Sequence, residues 1–176
     1  MTKGTNVKHF LENPEWAENA ILSWSLNAIP IAERWEVLAP SVLERIEAAR
    51  KVSKAGFTVR IRVDPIVPVP DMKKDYHNLF NLIFNNFKPE RITLGSLRGL
   101  TSTVNNVKDR SWLTYLSERS GWGLKPSHRV RMEIYKLLIG YLKEYDFYEV
   151  GLCKETLAVW DDLAMDWKNN KCNCIF

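Results

Sequence analysis

Segments with strand-like hydropathy recur along this chain, each separated from the next by a segment of helical periodicity, and that alternation constrains the fold most. Ala20–Asn27 (AILSWSLN), Phe57–Asp64 (FTVRIRVD), Arg91–Arg98 (RITLGSLR) and Tyr148–Cys153 read as strands. Ser41–Ala55, Lys73–Phe87 and Arg129–Tyr145 read as the helices between them, with Val7–Glu12 before the first strand and Thr156–Met165 after the last. In the first long helix, Ser41 and Glu44 form a capping box and Val42, Leu43, Ile46, Ala49 and Val52 make the apolar face. Glu47 and Lys51 pair at i,i+4, and Gly56 ends the helix. Strands joined by helices of about 10–15 residues build β-α-β units and a parallel sheet.

Parallel sheets are normally covered on both faces, so their strands should be apolar throughout. These strands are not. Ser23, Ser25 and Asn27 share one face of the first, opposite Leu22, Trp24 and Leu26; Arg60, Arg62 and Asp64 share one face of the second, opposite Val59, Ile61 and Val63. One explanation is a half-exposed sheet. The other is the lumen of a barrel, where functional side chains gather at the C-terminal strand ends. Four strands are too few to close a barrel. Thr2–Asn6 also reads as the end of a strand and its turn. The expected fold is therefore α/β, half of a parallel (β/α) partial TIM-type barrel of about four strands over residues 1–176, with a cysteine-containing tail at 166–176.

The 176 residues, 45% hydrophobic and 26% charged, suffice for one domain core and argue against disorder. No apolar run is long enough to span a membrane, and the residues at the N-terminus lack the apolar core expected of a signal peptide. The net charge of +4 is uneven: Lys88–Lys143 carries 11 Lys+Arg against 4 Asp+Glu, and the remainder 14 against 17. A basic segment in a mildly acidic chain suggests an anionic partner, nucleic acid first, or else an unevenly charged solvated surface. All three cysteines lie late, at Cys153, Cys172 and Cys174. An odd count without a secretion signal points to a reducing, cytoplasmic setting. A C-x-C pair with a third thiol from a strand end suits zinc or an auxiliary iron–sulfur cluster with an open fourth position. Alternatively Cys153 is simply buried.

Several blocks occur in order: Thr2-Lys3, Ser23-Trp24-Ser25-Leu26-Asn27, Asp64-Pro65-Ile66-Val67-Pro68, Ile92-Thr93-Leu94-Gly95-Ser96-Leu97-Arg98, Gly151-Leu152-Cys153-Lys154-Glu155 and Lys171-Cys172-Asn173-Cys174. In this order and spacing the chain resembles the C-terminal half of the spore photoproduct lyase family of radical S-adenosylmethionine (SAM) enzymes. The resemblance implies a partial (β/α) barrel, SAM and a [4Fe–4S] cluster, and radical repair of a pyrimidine-dimer-type DNA lesion. It implies that Lys3 pairs with the methionyl carboxylate of SAM and that Ser25 hydrogen-bonds the same group. Asn27 then serves the nucleoside or forms the strand-end turn. Arg62 and Asp64, facing the lumen, serve the cofactor or form a structural ion pair. Arg98, with Lys125, Arg129 and Arg131 from a basic segment that also holds Arg119 and Trp122, implies substrate and DNA contact, or in part solvated helix-capping charges. Where the family has Gly-Lys followed by Arg-Tyr, this chain reads Leu124-Lys125-Pro126-Ser127-His128-Arg129. The family's C-x-x-x-C-x-x-C cluster loop is also absent. The chain is therefore expected to be inactive alone and to need a missing N-terminal half or a separately encoded partner chain. The competing expectations are a non-catalytic half-barrel binding nucleic acid or another anion, and a metal-stabilised subunit of a split enzyme.

Overall fold

A computed structural model describes residues 1–173. In chain order the elements are α1 (Lys8–Glu12), β1 (Ile21–Leu26), α2 (Ile29–Trp35), α3 (Val42–Lys54), β2 (Thr58–Ile66), α4 (Met72–Asn86), β3 (Arg91–Ser96) and α5 (Thr101–Asn106). They continue as β4 (Glu118–Ser120), β5 (Gly123–Lys125), α6 (His128–Glu144), β6 (Val150–Leu152) and α7 (Leu157–Asp162), with 3-10 turns at Pro14–Glu18 and Ser111–Tyr115. The four predicted strands form one parallel sheet in the order β1-β2-β3-β6, and β4 and β5 form a separate hairpin. No helix among the described residues is long and apolar enough to cross a membrane.

The apolar strand positions face the helices. Trp24, Leu26, Ile61, Val63, Ile92 and Leu94 are fully or almost fully buried, with Ile46 and Val52 of α3, Phe80 and Ile83 of α4 and Leu138 of α6 in the same core. The α3 capping box forms as expected: the Ser41 hydroxyl accepts from the Glu44 N–H at 3.2 Å, and the Glu44 carboxylate accepts from the Ser41 N–H at 2.8 Å. The apolar face of α3 differs at two positions. Leu43 is exposed, whereas Arg45 is buried, because its guanidinium reaches the Ser25 carbonyl at 3.0 Å and Glu36 at 2.7 Å. Helices α2 and α5 lie outside the predicted set. The α2 segment is only seven residues long, too short to show an amphipathic period, although Pro30 suits its first turn.

Thr2 pairs with Trp24 in a single parallel bridge, its N–H donating to the Ser23 carbonyl at 2.8 Å and its carbonyl accepting from the Ser25 N–H at 2.9 Å. The predicted strand end at Thr2 is therefore present on the outer side of β1. The opposite face of the sheet is polar, as expected, but it is not open: Ser23, Ser25, Arg62, Asp64 and Thr93 are all buried. Part of their cover is the tail. Asn173 donates to the Thr93 hydroxyl, the Ile61 carbonyl and the Ser23 hydroxyl at 2.9, 2.9 and 3.2 Å, reaching three strands from one side chain and its backbone.

Candidate functional site

Parallel register places Ser25, Arg62, Thr93 and Gly151 at one level of the polar face. Two residues further along each strand lie Asn27, Asp64, Gly95 and Cys153, at the C-terminal end where open α/β sheets bind ligands. Here Asp64 is held by two arginines. Arg62 donates through Nε at 2.8 Å and also through Nη2, and Arg98 reaches both carboxylate oxygens at 2.8 and 2.7 Å. Gly95 makes room for this cluster: a side-chain carbon there would lie 2.6 Å from the Asp64 carboxyl carbon. Arg62 also donates to the Cys153 sulfur at 3.0 Å. Arg62 and Asp64 thus form the ion pair on the polar face of the sheet, and Arg98 belongs to the same cluster.

Lys3 lies beside it, ion-paired with Glu36 at 3.0 Å, and Glu36 in turn pairs with buried Arg45. Ser25 is buried on the polar face, its carbonyl accepting from Arg45 at 3.0 Å. Asn27 is committed to the fold. Its amide nitrogen donates to the Pro65 carbonyl at 2.9 Å, and its oxygen accepts from the Tyr76 hydroxyl at 2.9 Å and the Ala28 N–H at 3.0 Å. A cavity of about 220 Å³ bordered by Lys3, Asn27, Glu36, Pro65 and Arg98 opens here, and a groove of about 830 Å³ adjoins it past Lys3, Trp35 and Glu36 to Lys108 and Asp109. Asp109 fixes that rim: it accepts from the Trp35 indole and the Ser111 N–H, both at 2.8 Å.

The basic segment divides in two. Lys125 and Arg131 are fully buried around Glu155, at 2.7 and 3.3 Å, and Glu155 also accepts from the Ser96 hydroxyl at 2.6 Å and the Tyr135 hydroxyl at 2.8 Å. Arg131 reaches Glu118 as well, so these two cations tie the hairpin to α6 and to the end of β6 rather than facing outward. Burial pulls the Lys125 pKa down, opposed by the Glu155 carboxylate, and burial pushes that of Tyr135 up. Arg129 is exposed on α6, and Arg119 and Trp122 are exposed on the hairpin. Sequence reasoning missed Glu36, Arg45 and Tyr135 as partners of the site. Only the position of Arg45 on the apolar stripe of α3 signalled one of them.

Buried Cys153 and half-exposed Cys172 are in hydrogen-bond contact; that contact, and then burial, push the Cys153 pKa up. Cys174 lies outside the described residues. Among the described residues no group of three His, Cys, Asp or Glu side chains is placed to hold a metal ion. With two thiols together and no C-x-x-x-C-x-x-C in the sequence, these residues do not fit the SAM-cleaving [4Fe–4S] cluster. The Lys3 ammonium, bordering a largely apolar cavity, suits an amino-acid carboxylate such as that of SAM, whereas Ser25 is buried and lies outside the lining of that cavity.

The fold and face define an α/β partial barrel with a charged ligand-type site at the strand ends. The sequence profile of the family described as spore photoproduct lyase matches residues 1–96, and the chain belongs to that family. Three solved structures share the fold. A spore photoproduct lyase complexed with dinucleoside spore photoproduct is 19% identical, with a TM-score of 0.69. A cysteine-to-serine mutant is 20% identical, at 0.68. A double mutant with bound AdoMet and dinucleoside spore photoproduct is 19% identical, at 0.67. Each match covers 86% of this chain and 48% of the other, so the chain spans about half the length of these structures. No curated protein matches the sequence.

Proposed function

We propose that this chain supplies the ligand-binding half of a radical SAM lyase acting on a pyrimidine-dimer-type DNA lesion, with the cluster carried on another polypeptide segment. The observation behind this reading is the pair of cations at the strand ends, Arg62 and Arg98, around one carboxylate, Asp64, with Lys3, paired to Glu36, bordering a largely apolar cavity that Arg98 also lines. Family membership and the AdoMet and photoproduct bound to the solved relatives give the ligand classes. Bound SAM supplies the hydrogen-abstracting radical. Lys3 holds the methionyl carboxylate by exchanging from Glu36, which stays neutralised by Arg45. The Arg62–Asp64–Arg98 cluster keeps the strand ends rigid beneath it. Because water is excluded from much of this face, each hydrogen bond there positions more strongly than it would in solvent.

The test is a SAM titration of isotope-labelled protein. Amide shifts are expected at Lys3, Ser25 and Arg62, and Lys3→Ala should weaken binding by about 10–100-fold, the equivalent of the roughly 1.5–3 kcal/mol of a charged hydrogen bond. Shifts elsewhere, or an unchanged affinity in Lys3→Ala, contradict the assignment.

The hairpin β4–β5 is the proposed DNA contact, through exposed Arg119 and Trp122 with Arg129 alongside. Cations flanking an exposed aromatic suit phosphate contact and base stacking. Neutralising Arg119 and Arg129 together should flatten the log–log salt dependence of DNA binding by about 1.4–1.8, at roughly 0.7–0.9 per phosphate contact. Neutralising buried Lys125 should instead unsettle the fold. An unchanged slope in the double variant places the DNA surface elsewhere.

A further inference from the structure

We propose that residues 100–116, between β3 and β4, form a hinged gate over the cavity at the strand ends, held shut by a side-chain latch from Asp109 to α2. The cavity of about 220 Å³ has the strand ends and α2 on one side, with Asn27, Ile31 and Pro65 in its lining, and Thr103, Val107 and Trp112 of this segment on the other. Both ends of the segment are fastened to the β4–β5 hairpin. The Gly99 N–H donates to the Leu124 carbonyl and the Ser117 N–H to the Lys125 carbonyl, each at 2.8 Å. A side-chain carbon on Gly99 would lie 2.6 Å from the Leu116 Cδ1, so the bare backbone there lets the two ends meet. A long surface loop with adjoining ends can move as one body about them, which is the geometry of a lid.

Between its ends the segment is held by few groups. Asp109 accepts from the Trp35 indole at 2.8 Å and lies 3.5 Å from the Arg34 Nε, while Arg34 donates through Nη2 to the Ser111 hydroxyl at 3.0 Å. Among the described residues, the segment's other hydrogen bonds stay within it, as from Val104 to Leu100 and from Leu116 to Leu113. No residue of α5 is buried, and in the whole segment only Trp112 is. Such sparse packing marks the part of a fold that opens most readily. The latch also stands where opening has a consequence. Lys3, Trp35, Glu36 and Val107 border both the cavity and the groove of about 830 Å³, so Trp35 and Val107 form the partition between them. Swinging Val107 and Asp109 away from α2 joins the two spaces and gives a ligand a path inward. Inside, Arg98 lines the cavity, and its buried Nε has no hydrogen-bond partner among the described residues, a donor suited to an anionic group. Hydrogen bonds from Ser111 hold the Asp109 pKa down to about 2, so the latch stays charged at neutral pH. The gate stands on the loop and its latch; that it admits SAM rests on the proposed function.

The test is hydrogen exchange of the indole N–H protons in the isotope-labelled full chain. Trp112 is buried only by the closed gate, whereas Trp24 is buried in the core with its indole donating to the Gly4 carbonyl at 3.0 Å. In the wild type, Trp112 should therefore exchange faster than Trp24. In Asp109→Ala its exchange should quicken a further 2–10-fold or so, the change in open population expected from losing one or two exposed hydrogen bonds, with Trp24 unchanged. Trp35→Phe removes only the indole donor and should act in the same direction. SAM, added to the wild type, should slow exchange at Trp112, and its association by stopped flow should be faster in Asp109→Ala. Wild-type Trp112 exchanging as slowly as Trp24 overturns the proposal and needs no variant. So does faster exchange at Trp35 of Asp109→Ala with Trp112 unmoved, which means that the latch breaks without opening anything. A rise shared by Trp24 in both variants also overturns it, because the contact then holds the fold and not a gate. Failure of SAM to bind any of these proteins counts against the proposed function and leaves the indole exchange to decide the gate.

Discussion

Glu155→Ala is expected to destabilise the fold by about 3–5 kcal/mol, the usual cost of stranding a buried charge, and to do so without touching any surface residue. Among the described residues Glu155 is the anion paired with fully buried Lys125, it shares Arg131 with Glu118, and it accepts hydrogen bonds from Ser96 and Tyr135. Its removal strands cations and hydroxyls that came from β3, β5 and α6. The pH dependence separates this account from a simple packing loss. In Glu155→Gln the charge is lost but the shape is kept, and Lys125 loses the partner that opposes its desolvation. A lysine whose folded pKa lies below its unfolded value binds more protons when unfolded, so stability rises with pH between the two values. Urea unfolding of Glu155→Gln should therefore show a midpoint that climbs from neutral pH towards the ordinary lysine range. A flat profile together with a loss below about 1 kcal/mol, the scale of an exposed ion pair, would mean the network contributes little.

Asp64→Ala is the second large effect, expected at about 3 kcal/mol or more from the same cause. The carboxylate side chain is 4% exposed and separates two guanidiniums that are each 10% exposed, so its loss removes the anion between Arg62 and Arg98. Gly95→Ala should act in the same direction while leaving all three charged groups in place, because its new carbon would occupy the space of the Asp64 carboxyl. Thermal unfolding of both variants checks this. Retained stability in Asp64→Ala would show that solvent already screens the cluster.

How much of this was legible in the sequence depends on how local each signal is. The capping box of α3 and the alternation in Phe57–Asp64 are written within a few residues, and both appear as expected. The polar identities of Ser25, Arg62 and Asp64 showed a special face, and strand period alone put them on it. That Arg45 is inside and Leu43 outside was not legible, because it depends on Glu36 arriving from the turn after α2. Lys125 and Arg131 read as outward cations since a basic run is usually solvated. Their burial is set by Glu155, 30 residues from Lys125, which the chain returns only after α6 and β6. Asn173 bonds the Ile61 carbonyl across 112 residues, a contact that no periodicity announces. The thiols were legible as a group, of which Cys174 lies outside the described residues. Among the described residues they meet as a pair.

The central claim is that this chain holds the ligands while the radical-generating cluster belongs to another segment. Its most direct test is 5′-deoxyadenosine production after anaerobic iron–sulfur reconstitution, with SAM and reductant. The chain alone should give none above the protein-free control, and product should appear when a polypeptide carrying a C-x-x-x-C-x-x-C loop is added, falling again when that polypeptide is paired with the Lys3→Ala chain. Deoxyadenosine formed by the isolated chain would contradict the account outright.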